Sequence, residues 1–137
     1  MMKKILPVLV LVMVAGMAFG QTLQKGGVLG MYHFEIALKP NVTFEMYLNF
    51  LQNKHLPELE KQFPGTTGII LKADRGEYKN EYTLLWHFNS VEQRDIYIDA
   101  GGNWTEVGQS ASDNLSTWEG LNRLGTWSST VTDWVIL

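Results

Sequence analysis

At 137 residues, with no cysteine and a formal charge of −3, the chain is sized for one small domain and excludes disulfides and thiolate chemistry. Its 14 Asp and Glu against 11 Lys and Arg argue against a nucleic-acid partner held through phosphate contacts. Five Trp, five Tyr and six Phe are more aromatic surface than such a domain easily hides alone, which points to a second subunit or an apolar cavity.

Residues 1–20 read as an export signal. Lys3 and Lys4 form a basic start, Ile5 to Ala18 is an apolar run, and Ala18-Phe19-Gly20 places small residues where a signal peptidase cuts, before Gln21. The run is short for a bilayer span, so an exported protein, periplasmic or extracellular, is expected in preference to a membrane-anchored one. Without Lys3 and Lys4, nine of the 11 basic residues face 14 acidic ones and the charge becomes −5. Residues 21–27, with Lys25-Gly26-Gly27, read as a linker to a single domain over residues 28–137.

From Val28 to Leu38 the chain alternates, with Tyr32, Phe34, Ile36 and Leu38 on one side and Met31, His33, Glu35 and Ala37 on the other, as a strand does. Pro40-Asn41 ends it, and Asn41 or Thr43 can cap a helix from about Thr43 to Phe63. On that helix Phe44, Leu48, Leu51, His55 and Leu59 form one stripe. Pro57 lacks an amide hydrogen, so a bend or break is expected near residues 53 to 57. Phe63-Pro64-Gly65 turns into a second strand, about Thr67 to Ala73. A third strand carries Tyr82, Leu84, Trp86 and Phe88 opposite Glu81, Thr83, Leu85 and His87. Ser90 to Gln93 fits a capping box opening a helix to about Ala100. Beyond Gly101-Gly102, a second helical piece spaces Trp104, Val107, Ala111, Leu115, Trp118 and Leu121 at three and four residues, with Gly125 as its stop. Val131 to Leu137 reads as the last strand.

A β-α-β-β-α-β order predicts an α+β, ferredoxin-like sandwich: a four-stranded antiparallel sheet of order 4-1-3-2 with both helices on one face. Strands 1 and 3 are expected side by side and parallel. The uncovered face, with Met31, His33, Ala37, Thr83, Leu85 and His87, is too apolar for water, so a homodimer joined through the open sheet is expected.

With this order, His55-Leu56-Pro57 followed by Phe63-Pro64-Gly65 resembles the dimeric α/β-barrel superfamily, and within it EthD-type and antibiotic-biosynthesis-monooxygenase-like domains. The resemblance implies a barrel-like dimer with a small apolar or aromatic ligand between sheet and helices. It also implies, among its members' activities, cofactor-free lyase, isomerase, cyclase or monooxygenase chemistry, with haem binding as a minor alternative to having no cofactor. The Gly101-Gly102 interruption and the Trp-bearing segment after it depart from that pattern.

His55 is the candidate catalytic residue. An imidazole buried on a sheet-facing stripe is kept neutral and able to take a proton, although the same ring could simply bond a backbone carbonyl freed by Pro57. Tyr32, Trp86, Trp104 and Trp118 are the candidate ligand-binding residues. The Trp104 and Trp118 spacing also suits core packing, and Trp104 follows the glycine pair where a lid would sit. No metal is expected. His33, Glu35 and His87, on strands expected to be adjacent, are the residues that could offer two imidazoles and a carboxylate. No phosphate-binding glycine loop, G-x-S-x-G elbow or Cys nucleophile occurs. The expected function is therefore binding of a small apolar molecule, with or without acid–base chemistry. The alternative is a non-catalytic envelope module whose aromatics serve only core and dimer.

Overall fold

A computed structural model describes residues 23–137; the expected signal segment and its cleavage point lie outside them. Strand β1 spans Val28–Leu38, followed by helix α1 (Phe44–Phe50), one π-helical turn (Leu51–His55) and helix α2 (Leu56–Gln62). Strands β2 (Thr66–Lys72) and β3 (Tyr82–Phe88) come next, then helices α3 (Val91–Tyr97), α4 (Glu106–Asp113) and α5 (Thr117–Leu124), and strand β4 (Gly125–Val135). The sheet order is β2-β3-β1-β4, the ferredoxin-like arrangement the sequence predicts.

One strand relation differs. β1 and β3 are neighbours but antiparallel, with Val28 opposite Phe88 and His33 opposite Thr83. The crossover through α1 and α2 returns the chain to its starting end, so β2 runs in the direction of β1. The β2-β3 hairpin then inserts β3 between them in the opposite sense. β4 is longer than expected: it pairs with β1 from Leu38 opposite Gly125 to Val28 opposite Val135.

Thr43, with extended backbone, caps α1 by accepting a hydrogen bond from the Met46 amide at 3.2 Å. Asn41 instead takes a left-handed φ of 63°, which asparagine tolerates. The bend expected near Pro57 is the π turn, in which the Leu56 amide reaches back to the Leu51 carbonyl. A proline ring would press on the carbonyl four residues earlier in a regular helix, and the wider turn accommodates it. Ser90 caps α3 as expected, accepting from the Gln93 amide at 3.0 Å, while the Gln93 side chain donates to the Pro64 carbonyl at 3.1 Å. That second bond ties the Phe63-Pro64-Gly65 turn to the start of α3.

The segment after β3 is shorter-stepped than its periodicity suggests. α3 stops at Tyr97, and Ile98 is extended and bridges to Trp104. Asp99 accepts hydrogen bonds from the Gly101 and Asn103 amides, both at 2.9 Å, so the glycine pair sits in a hydrogen-bonded turn. The helical piece beyond it breaks into α4 and α5 around Asn114, Leu115 and Ser116. Among the described residues no helix is long and apolar enough to cross a membrane.

The core lies between the sheet and the helices, with Val28, Leu51, Phe63 and Phe88 almost or wholly sealed. Gly108 lets α4 seat against α3, because a Cβ there would lie 2.0 Å from the Tyr97 carbonyl oxygen and 2.9 Å from the Trp104 ring. Gly108→Ala should therefore lower stability by about 1–3 kcal/mol in urea unfolding, despite alanine's better helix propensity. An unchanged or raised midpoint would contradict that packing.

Candidate functional site

A cavity of ≈ 190 Å³ lies between the sheet and the helical layer. Its sheet side is formed by Tyr32 of β1, Leu84 and Trp86 of β3, and Trp127 of β4. Its helix side is formed by Leu51 and His55 of the π turn, Leu59 of α2, and Trp118 and Leu121 of α5, with Trp104 closing it from the loop after α3. Thus His55 and the four aromatics singled out in the sequence, Tyr32, Trp86, Trp104 and Trp118, line one cavity.

Each is placed by a local device. The π turn brings His55 onto the helical layer's inner side, where it is 4% exposed. Its Nδ1 lies 2.8 Å from the Thr117 hydroxyl, so a side chain on α5, and not a backbone carbonyl freed by Pro57, satisfies the ring. Three residues on, the Glu58 carboxylate accepts from the Ser116 amide (2.9 Å), the Ser116 hydroxyl (2.8 Å) and the Thr117 amide (3.1 Å). An anion bonded to the exposed amides of a helix N-terminus is favourable, and here it fixes where α5 begins. The next residue, Trp118, then stands against the imidazole with ring centres 4.5 Å apart. Its indole N–H is held by Ser112 of α4, at 3.2 Å from the carbonyl and 3.3 Å from the hydroxyl. Trp104 is held by its bridge to Ile98 and packs on Phe63 and Trp86, at 5.5 and 6.2 Å between ring centres.

Burial lowers the His55 pKa from its ordinary 6.5 to about 4, with nearby Glu58 pulling weakly the other way. The ring is therefore neutral at physiological pH. Burial would raise the Glu58 pKa, but the hydrogen bonds from Ser116 and Thr117 outweigh it and hold the carboxyl below its usual range. The Tyr32 phenol is pushed up, first by burial and then by Asp133, with Arg94 opposing. Arg94 itself pairs with Asp95 at 2.7 Å and with Asp133 at 2.9 Å.

Chemically, the site is an apolar, mostly aromatic cavity with one neutral imidazole. No described residue bonds His55 Nε2. The Thr117 hydroxyl can donate or accept, so Nε2 can face the cavity as an acceptor or as an N–H donor. A base with a pKa about 4 removes only acidic protons efficiently near neutrality.

The other candidate residues are dispersed. His33 lies opposite Thr83 on the open sheet face, bonded to its hydroxyl at 3.1 Å and tilted against Tyr78 with ring centres 5.4 Å apart. His87 lies opposite Leu29, four positions further along the strand pair. The register separates the two imidazoles by roughly 13 Å, beyond the span of one ion. His33 and Glu35 border a wide groove of ≈ 520 Å³ where β1 and β4 run past the start of β3, with Glu81 on its other side. Although larger, that groove is open and mixed in polarity, and it gathers no buried chemical group. The apolar cavity at His55, which gathers a buried imidazole, is the better candidate.

Sequence reasoning did not find Thr117 and Trp127. Thr117 is one residue before the spaced Trp118, and nothing in its type marks it as the partner of His55. Trp127 was detectable: Gly125 ends the helix, and Trp127, Val131 and Val135 alternate with Thr126, Ser128, Thr130 and Thr132 as one long strand.

A His buried in neutral form makes stability depend on pH. The unfolded ring takes a proton below 6.5 and the folded ring only below about 4. Stability present above pH 6.5 should fall as pH drops toward 4, by up to about 3 kcal/mol from this residue. Urea unfolding of the wild type and His55→Gln at pH 7 and pH 4.5 checks it. The wild type should lose more than the variant, and equal losses would show a histidine that charges freely when folded.

No family model matches the chain, and no curated protein matches it. Among solved structures it is similar to a dimeric protein of unknown function and ferredoxin-like fold from Bacteroides fragilis NCTC 9343. The identity is 14% and the TM-score 0.45, over 84% of this chain and 100% of that one. It is also similar to an uncharacterized NIPSNAP-like domain protein from Burkholderia xenovorans, at 13% identity and TM-score 0.41, over 83% of this chain and 86% of that one.

Proposed function

We propose that this is an exported, homodimeric protein that binds one small apolar or aromatic molecule in the His55 cavity. The observation that carries the reading is the cavity itself: ≈ 190 Å³, walled by four tryptophans, a tyrosine and leucines, with a single neutral imidazole. An apolar cavity of about 150 Å³ stays dry and takes up benzene, so a single-ring molecule is the matching size. A porphyrin is several times larger, and the residues present do not fit it. The likeness of His55-Leu56-Pro57 and Phe63-Pro64-Gly65 to EthD-type domains of the dimeric α/β-barrel superfamily agrees with a ligand between sheet and helices. Export rests on the basic start, apolar run and Ala18-Phe19-Gly20 of the first twenty residues.

The low basicity of His55 favours binding over proton abstraction. Its Nε2 serves as a polar contact that orients the occupant. The Thr117 bond supports a second reading, a structural module in which His55 only fastens α5.

Titration with isopropylbenzene, followed by tryptophan fluorescence, separates the two. Saturable binding is expected, weakened about tenfold or more in Leu121→Trp, which fills the cavity. Absence of saturation in the folded wild type would leave the structural reading standing.

The open sheet face carries Met31, Leu85, Ile69 and Leu71, the last two 46% and 41% exposed, together with Trp134 at 57%. On the same face His87 Nε2 is buried without a partner among the described residues. A second copy related by a two-fold axis would cover this surface with its own equivalent. Sedimentation at micromolar concentration should show a dimer, and Ile69→Glu, which places two charges in that interface, should give monomers. A monomeric wild type would contradict the sheet-to-sheet arrangement.

A further inference from the structure

The two ring nitrogens of His55 have different surroundings. Nδ1 is taken by the Thr117 hydroxyl at 2.8 Å. Nε2 has no partner among the described residues, yet it is not sealed in as Trp86 Nε1 and His87 Nε2 are. It therefore keeps accessible surface on a side chain that is otherwise closed off, and the space this ring borders is the cavity. An occupant of that space can reach it.

Whether Nε2 gives or takes a hydrogen bond is decided on its far side. The Thr117 hydroxyl has one proton and two neighbours that could receive it, His55 Nδ1 and the Glu58 carboxylate. Glu58 Oε2 accepts from the Thr117 amide at 3.1 Å, so the carboxylate lies over the same residue. The Thr117 side chain is itself among the donors that hold this carboxyl below its usual range. A hydrogen bond to an ionised oxygen is roughly twice as strong as one between neutral groups, so the hydroxyl proton turns to Glu58. Thr117 Oγ1 then offers Nδ1 only a lone pair, and the neutral ring places its N–H there. Nε2 is left as a bare acceptor.

We infer that the occupant of the cavity donates a hydrogen bond to His55 Nε2: it is an uncharged single-ring compound bearing a hydroxyl, of the phenol class, and donation runs from ligand to His55 to Thr117 to Glu58. This rests on the ligand-binding reading above and narrows its ligand class. The lining holds no ionised side chain to compensate a charged occupant. A plain hydrocarbon fills the volume but leaves Nε2 bare, and a ketone brings it only another lone pair. A phenol, with a pKa of about 10, keeps its proton against a ring at about 4, so the contact is a neutral hydrogen bond.

The compounds para-cresol and para-fluorotoluene share a skeleton in which fluorine replaces the hydroxyl and cannot donate. The ratio of their dissociation constants is measured by calorimetry in the wild type and in His55→Phe. Taking the ratio within each protein cancels the difference in how the two compounds leave water. The variant should shift the ratio against para-cresol by roughly tenfold. The proton positions are read in the wild type alone, from the 15N resonances of the His55 ring near neutral pH. Nδ1 should show the shift of a protonated nitrogen and Nε2 that of a bare one. Adding para-cresol should move Nε2 toward the protonated value, while para-fluorotoluene should not. That readout holds whether or not the variant folds. A ring proton found on Nε2, or an unchanged ratio, overturns the assignment of Nε2 as acceptor while leaving ligand binding intact. Failure of both compounds to bind overturns the ligand-binding reading itself.

Discussion

The fastening of α5 onto the π turn and α2 is the interaction on which the site depends. Glu58 takes the amide hydrogens of Ser116 and Thr117, and His55 meets the Thr117 hydroxyl. Both side chains come from one short stretch, and both act on the first residues of a helix that would otherwise begin with unsatisfied donors. Where α5 begins decides where Trp118 and Leu121 stand, and these form much of the helix side of the cavity. Loss of the clasp would free α5 to slide or tilt inward, and apolar side chains would then collapse into the space. The cavity persists because polar bonds at its edge hold the helices in place.

The imidazole pays for that role in basicity. A buried ring packed against Trp118 cannot easily hold a positive charge, so it behaves as a neutral hydrogen-bonding group. This separates the site from one tuned for acid–base work, where a pKa near the working pH is the useful value. Aromatic walls and a neutral polar contact suit recognition of a small uncharged molecule.

Much of this was legible in the sequence. Alternation gave β1 with its bounds and β3 from one residue early, Pro57 marked the irregular turn, and Ser90 with Gln93 marked the start of α3. Tyr32 and Trp86 fall on the inner face by counting in twos, and His55 by counting along a helix. Their meeting in one cavity follows from the strand order. Some features were missed although the order of elements implied them, and others were hidden for physical reasons. Strand direction in the centre of the sheet follows from the element order, because the crossover aligns β2 with β1 and the hairpin then sets β3 against both. The split between α4 and α5 arises from a carboxylate three residues beyond His55, a partner 58 positions distant from Ser116. The distance between His33 and His87 is a matter of register, which places them on one face but not together.

The central claim is an accommodating apolar space beside a neutral His55. A crystal structure under xenon pressure addresses it most directly, since xenon enters dry apolar cavities without needing a specific contact. The account predicts a xenon atom between Tyr32, His55, Trp86 and Trp118, with α5 unmoved. Solid packing of those side chains around His55, with no xenon bound among them, would contradict it.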